Sequence, residues 1–293
     1  MTGDSTRDIA VIGFGEAGRA FASGWGQEIC ARVVCYDVKL DAPDTASSIR
    51  DAATSLGVLP AVSRAEALAD ARVVFCLVTA DQAVSAARDC APYLSQGALW
   101  LDCNSCAPDS KRMAAEIVAD AGGVYVDVAV MSPVHPKLHR TPLLISGPGA
   151  DAAVERLAAL GMQARGIDDQ VGSASSIKMI RSVMIKGLEA LTAECFLAAR
   201  KAGVADEVLG SLMASNPEMT WDERAAYNLE RMMEHGIRRA AEMREVVHTL
   251  DGLGLPSALT AAVAEWHERI GEMGLKEREG DLSARAQEIL ERL

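Results

Sequence analysis

From residue 8 to about 168, short Val-, Ile- and Leu-rich runs alternate with Ala-rich stretches. The runs at 8–12, 32–36, 72–78, 98–102 and 124–130 are apolar at consecutive rather than alternate positions, the pattern of strands buried on both faces. Between them, 16–28, 63–70, 80–92 and 107–121 read as helices. This alternation predicts an α/β domain with a doubly wound, mainly parallel sheet. Two further runs, Leu143–Ser146 and 162–166, flank a helical segment at 150–160 and extend the sheet in an orientation the pattern leaves open. Gly147-Pro148-Gly149 punctuates the first of them.

After about residue 172 the texture changes to long Ala-, Leu-, Met-, Glu- and Arg-rich stretches, and no strand-like run reappears. The expected division is therefore 1–170 for the α/β domain and 171–293 for an all-α domain, joined by a long helix beginning near residue 173. That helix places Ile177, Ile180, Met184, Leu188, Leu191 and Cys195 at three- and four-residue intervals as its apolar face, and Gly203 ends it. Further helices are expected at 205–214, 217–234, 236–251, 257–273 and 281–292, separated by Pro217, Gly236, the Gly252/Gly254/Pro256 cluster and Gly280. Helices so rich in Ala and Met suit a small helical core or a homodimer interface, and the homodimer is the expected reading.

The most informative local pattern closes the first run. Gly13-Phe14-Gly15-Glu16-Ala17-Gly18 has G-x-G-x-x-G spacing between a strand and a helix. A dinucleotide site needs the first glycine for the tight turn, the second for backbone approach to the pyrophosphate and the third for close helix–strand packing. A second strand ends at Asp37, close to the interval at which a carboxylate accepts hydrogen bonds from the adenosine ribose. Such a carboxylate repels the 2′-phosphate of NADP, so NAD is the expected cofactor; Lys39 and Arg50 soften that preference and keep NADP as the alternative.

Composition narrows the class. The 293 residues are 49% hydrophobic and 24% charged, enough for a sizeable core, and carry a net charge of −12. No Lys/Arg block is present, and four Trp, four Tyr and four Phe give little base-stacking surface, so no nucleic-acid partner is expected. No apolar run reaches bilayer length and the first residues lack a signal-peptide core, so a cytoplasmic location without membrane contact is expected. Seven cysteines include Cys103-Asn104-Ser105-Cys106, but no second C-x-x-C accompanies it, and His135 and His139 are the only close pair among five scattered histidines. Reduced, mostly buried thiols and no metal are the reading.

The order of these segments resembles the β-hydroxyacid dehydrogenase and 6-phosphogluconate dehydrogenase superfamily over nearly the whole chain. The glycine motif matches the family's opening, with Ala17 where Met is common. The stretch 101–108, Leu-Asp-Cys-Asn-Ser-Cys-Ala-Pro, is similar to the family segment beside the nicotinamide, and Asn104-Ser105 resembles the Asn-Ser of the phosphogluconate branch. Asp127-Val-Ala-Val-Met131-Ser132-Pro133 stands where the family has a D-x-P-V-S-G-G substrate loop; Met-Ser-Pro in place of Ser-Gly-Gly removes backbone freedom and one amide donor. Lys178-Met-Ile-Arg181-Ser182 resembles the K-x-x-N-N helix, with Lys178 in the catalytic place, while a later family Lys has no counterpart at Ala241-Glu242. The resemblance implies a Rossmann domain that holds the cofactor through Gly13, Phe14, Gly15, Glu16, Ala17, Gly18, Asp37, Val78, Thr79, Asn104 and Ser105. It implies a hydroxy or oxo acid, or an alcohol, at Met131, Ser132, Pro133, Lys178 and Ser182.

The chemistry implied is hydride transfer, with Lys178 as general acid/base tuned by a largely apolar cleft. Ser182, four residues on along the same helical face, is placed to bond substrate or the amine. Arg181 has two readings, a substrate carboxylate or pairing with Asp127 or Glu189. His135 and His139 have two readings, a group that orients substrate or acts as acid and a loop histidine exposed to solvent, and Arg238 reads as a cleft wall or a charged helix face. Two rivals stand beside the dehydrogenase: an imine reductase on the same scaffold, against which Lys178 argues, and a dinucleotide-binding protein without turnover.

Overall fold

Every residue of β1 (Ile9–Ile12) is buried, and the strand runs parallel to both its neighbours, β2 (Val33–Tyr36) and β4 (Val73–Cys76). Around it the computed structural model, which describes residues 7–275 and 281–293, builds one eight-stranded sheet in the order β3-β2-β1-β4-β5-β6-β7-β8. The remaining strands are β3 (Leu59–Pro60), β5 (Leu99–Asp102), β6 (Val124–Val130), β7 (Leu143–Ser146) and β8 (Ala164–Gly166). The orientation that the sequence pattern leaves open is resolved: β7 is antiparallel to β6, and β8 is parallel to β7.

The helices of this region are α1 (Glu16–Cys30), α2 (Pro43–Ser55), α3 (Arg64–Leu68), α4 (Ala83–Cys90), α5 (Pro108–Asp120) and α6 (Ala150–Ala159). The hydrophobic pattern does not announce α2, because it buries only Ala46, Ile49 and Ala53 and is polar elsewhere. It starts on Pro43, whose fixed φ and missing N–H suit a first helical turn. The same pattern misses β3, which is two residues long and only half-buried. Phe21, Trp25 and Phe75 pack with ring centroids 5.2 to 6.3 Å apart, fixing α1 against β4.

The strand order reverses at β1, where the connection to β2 leads one way and the return from β3 brings β4 to the other side. The carboxyl ends of β1 and β4 therefore form the crevice in which ligands of such sheets bind.

Internal contacts divide the chain into two compact units, Met1–Lys178 and Met179–Leu293. The boundary falls inside α7 (Ser173–Ala202). The second unit adds α8 (Ala205–Ser215), α9 (Trp221–Gly252), α10 (Ala258–Gly271) and α11 (Leu282–Leu290), with no strand among its described residues. Its core gathers Met179, Leu197, Leu229, Met232, Met243, Val246, Val263 and Ile270.

One expectation is corrected here. Gly236 does not end a helix: α9 runs through it, because the missing side chain lets α10 come close. A Cβ there would run into the His267 carbonyl and lie 2.7 Å from the Gly271 Cα. The apolar stripe read along α7 lies on its outer side. Ile177, Ile180, Met184, Leu191 and Cys195 are exposed, while Ser182, Lys186, Glu189 and Thr192 are buried. The expected break at Gly280 lies outside the described residues. No described helix is long and apolar enough to cross a membrane.

Candidate functional site

The turn after β1 is built by its glycines, each for a separate reason. Gly13 has φ +90° and donates its N–H to the Tyr36 carbonyl at 2.8 Å; a Cβ there would stand 2.5 Å from the Leu77 carbonyl oxygen. Gly18 lies against the turn, where a Cβ would approach the Gly13 carbonyl to 2.8 Å. At Gly15, by contrast, a Cβ would meet nothing within 4 Å. Two glycines thus shape the turn and the third leaves open space beside the first turn of α1, where free amides and the helix dipole favour an anion. Phe14 is fully buried, Gly15 and Glu16 are exposed, and Ala17 is half-buried.

Asp37 follows β2 and is half-buried. Its Oδ2 accepts from the Phe14 amide at 2.8 Å and its Oδ1 from the Lys39 amide at 3.0 Å. One carboxylate therefore pins both the glycine turn and the chain leaving β2, with lone pairs left over on each oxygen. Leu77 and Val78, half-buried, and Thr79, exposed, leave the end of β4 on the other side of the turn. The Val78 side chain lies 3.1 Å from the ideal Cβ position of Gly13.

Asn104, Ser105 and Lys178 meet within the first unit. Asn104 follows β5 and is buried; its side-chain amide donates to Asp102 Oδ1 at 2.7 Å and to the Cys76 Sγ at 3.3 Å, which leaves its Oδ1 buried and without a hydrogen-bond partner. Ser105, half-buried, accepts from Lys178 Nζ at 2.5 Å. The amine is held by a residue on the β5 loop, one position from an unsatisfied buried acceptor. The Cys103 thiol beside them is pushed up to about 12 by burial, so it stays protonated and inert at neutral pH.

Behind this trio lies a buried polar cluster that the sequence reading missed. Lys111, fully buried in the first turn of α5, donates to the Asp102 carbonyl at 2.7 Å and to Asp102 Oδ1 at 3.1 Å. It also lies 3.4 Å from Asp127 Oδ1. The Tyr125 hydroxyl donates to Asp102 Oδ2 at 2.7 Å. Burial alone would lower the proton affinity of the Lys111 amine; the two carboxylates more than offset that and hold it above an ordinary lysine. The signal in the sequence was a Lys three residues after Pro108, near the positive end of a helix dipole, where a cation is unfavourable unless paired.

Met131 is half-buried against Ala129, Leu144, Ile167 and Ala174, so the loop after β6 is packed onto the start of α7. Ser132, half-buried, has its Oγ 3.3 Å from the Pro133 carbonyl, and Pro133 is exposed. His135 is exposed, as read, but His139 is not a free loop histidine: its ring packs where a Cβ on Gly24 would clash, and burial lowers its pKa.

The other candidates lie in the second unit. The buried Ser182 hydroxyl accepts from Lys186 Nζ at 3.2 Å, and Lys186 also pairs with Glu242 at 2.8 Å. Arg238 is exposed and pairs with Glu242 at 3.2 Å, the charged-face reading. Arg181 is exposed, and the acids suggested for it are engaged elsewhere, Asp127 by Lys111 and the start of α7, and Glu189 by a bidentate contact with buried Arg239. His267, also buried, stands 3.5 Å from Glu189, and burial depresses its pKa to about 3.

Residues 8–165 match the model of the NAD binding domain of 6-phosphogluconate dehydrogenase, and residues 199–270 match a domain of unknown function, DUF1932. A conserved hypothetical protein from Sinorhizobium meliloti 1021 is 37% identical, with 99% of this chain and 98% of that one covered and a TM-score of 0.76. The conserved protein MTH1747, described as structurally similar to 3-hydroxyacid dehydrogenases, is 27% identical over 90% of this chain and 97% of its own, with a TM-score of 0.68. At 15% identity, the 3-hydroxyisobutyrate dehydrogenase of Mycobacterium tuberculosis, solved with L-serine, shares the fold with a TM-score of 0.73 over 97% of this chain and 99% of its own. The turn at Gly13–Gly18 and the sheet that carries it thus belong to an NAD(P)-binding domain, and the chain is a member of the 6-phosphogluconate dehydrogenase NAD-binding family with the 3-hydroxyacid dehydrogenase fold.

Proposed function

We propose that this protein is an NAD-dependent oxidoreductase that interconverts a hydroxy acid, or a related alcohol, and its oxo form, with Lys178 as the general acid/base. The observation that carries the reading is the contact of Lys178 Nζ with Ser105 Oγ at 2.5 Å, beside a buried Asn104 Oδ1 that lacks a partner. A buried acceptor left unsatisfied costs free energy unless something donates to it, and the amide of a nicotinamide is a suitable donor.

The residues present fit such a cofactor. Gly13–Gly18 would hold the pyrophosphate against the open space at Gly15, Asp37 the adenosine ribose, Val78 and Thr79 the flank, and Asn104 with Ser105 the nicotinamide end. Bound there, the nicotinamide supplies the acceptor or donor of hydride. Lys178 takes the proton of the substrate hydroxyl in the oxidation and returns it to the carbonyl oxygen in the reduction. Ser105 keeps the amine in place between turnovers. Met131, Ser132 and Pro133 would border the substrate, Ser132 with a hydroxyl for an anionic group. Asp37 favours NAD over NADP, whose 2′-phosphate would face a carboxylate.

Turnover tests this. NAD⁺ reduction is followed over a panel of hydroxy acids and alkyl or aryl alcohols, with imines and NADH as the reverse arm. Lys178→Ala is expected to lose at least about 100-fold in turnover with nucleotide affinity largely kept. Equal turnover by the variant would remove the proposed proton donor, and reduction of imines alone would favour the imine reductase. We also infer a homodimer through the C-terminal helices, supported by the exposed apolar side chains Ile180, Met184 and Leu191 of α7. A light-scattering mass of one chain would overturn it.

A further inference from the structure

Asp102 and Asp127 face each other at one register position of the adjacent strands β5 and β6, both fully buried. Each does a separate task. Asp102 Oδ1 accepts from the Asn104 backbone amide at 3.0 Å and from the Asn104 side chain at 2.7 Å. Asp127 Oδ2 holds the first turn of α7, accepting from the Gly172 amide at 3.2 Å and from both the amide and the hydroxyl of Ser175 at 2.9 Å. Ser175 lies one helical turn before Lys178, whose amine returns to Ser105, the neighbour of Asn104. The contacts close a ring, and Lys111 joins its two carboxylates.

We propose that Lys111 is a positioning residue: its ammonium ties Asp102 to Asp127 and thereby fixes Asn104 and the Lys178-bearing turn of α7 relative to each other. Two buried carboxylates side by side repel and lose hydration, and a cation between them relieves both costs. Lys178 is the other amine of this neighbourhood: its charge also acts on the Cys103 thiol, and its Nζ donates to Ser105. Tyr125 from β6 is a phenol whose proton is held by burial and by the two acids, and Cys103 and Cys106 from the β5 loop are thiols. Asp102 and Asp127 are the acids present.

Without the cation, one of the two carboxyls must take up a proton for the pair to coexist. The ring should then be loose at alkaline pH and tighten on acidification, a signature that an empty space left by a shortened side chain does not produce. The role in turnover rests on the function proposed above; the positioning itself does not.

The experiment compares wild type with Lys111→Met from pH 6 to 8.5. At pH 8 the amides of Gly172, Ser175 and Asn104 are expected to lose at least about tenfold in hydrogen-exchange protection, with those of the glycine turn unchanged, and to recover by pH 6. Turnover should follow the same pH course while nucleotide affinity stays within about threefold. Protection equal to wild type across the range, or a loss independent of pH, would overturn the proposal. Should Lys111→Met fail to fold, Lys111→Met/Asp127→Asn decides: it removes one negative charge and keeps an oxygen for Ser175. A folded double variant with pH-independent protection supports the proposal, and a double variant as unfolded as the single contradicts it. Exchange protection needs no turnover, so an inactive wild type would count against the proposed reaction and leave this reading standing.

Discussion

Asp37 has two tasks that pull on a single carboxylate. It fastens the glycine turn through the Phe14 amide and, in the proposed function, accepts the ribose of NAD. Asp37→Asn keeps one side-chain oxygen for the Phe14 amide, gives up the acceptor of the Lys39 amide, and removes the charge that repels a 2′-phosphate. The expected outcome is a narrower NAD over NADP preference, by about tenfold or roughly 1.4 kcal/mol, with the fold retained; titration with NADH and NADPH by fluorescence measures it. An unchanged preference would place discrimination elsewhere. At this scale, what the sequence made legible were residues with a backbone reason to be there. Gly13 and Gly18 have such a reason in the tight turn and its close packing, and Asp37 in the amide it accepts from Phe14. Lys111 left only the signal of a cation in a first helical turn, because its partners are two aspartates from strands brought side by side by the folded sheet. His139 misled for the converse reason: a polar loop sequence does not reveal that Gly24 leaves room for its ring.

At the scale of elements, the alternation of apolar runs found the strands because a doubly wound sheet buries them on both faces. It passed over α2, whose inner face is mostly alanine, and read a helix end at Gly236 where there is a close helix crossing. That crossing gives a stability test. Gly236→Ala would push a methyl group into the backbone of α10 at His267 and Gly271, overpacking that costs about 1–3 kcal/mol. Gly210→Ala in α8, where a Cβ would meet nothing within 4 Å, should instead stabilise by about 0.5–1 kcal/mol through helix propensity. Chemical denaturation of both variants checks the contrast, and two shifts of the same sign would contradict it. The long helix α7 starts where it was predicted, and its apolar stripe lies outward. Hydrophobic periodicity marks an apolar stripe without saying what covers it, and this helix turns Lys186 and Glu189 inward, where Glu242 and Arg239 neutralise them.

The stability of the whole molecule carries a signature of that polar interior. His267 is fully buried with Arg239 nearby, and its pKa falls to about 3, below the value of about 6.5 that an unfolded chain would give it. The folded form therefore excludes a proton that the unfolded form binds. The stability this contributes is whole above about pH 6.5 and drains as the pH falls toward 3, by up to about 1.4 kcal/mol per pH unit. Thermal melts between pH 7 and 4.5 should show wild type losing stability faster than His267→Gln, and parallel curves would contradict the assignment. For activity the central claim is narrower: an amine at position 178, held by Ser105, moves the proton. Its most direct test is chemical rescue. Turnover of Lys178→Ala is measured with increasing concentrations of small primary amines of graded size and basicity. Activity that returns in proportion to the amine, and depends on its basicity, is the predicted result; full activity without any added amine would contradict the account.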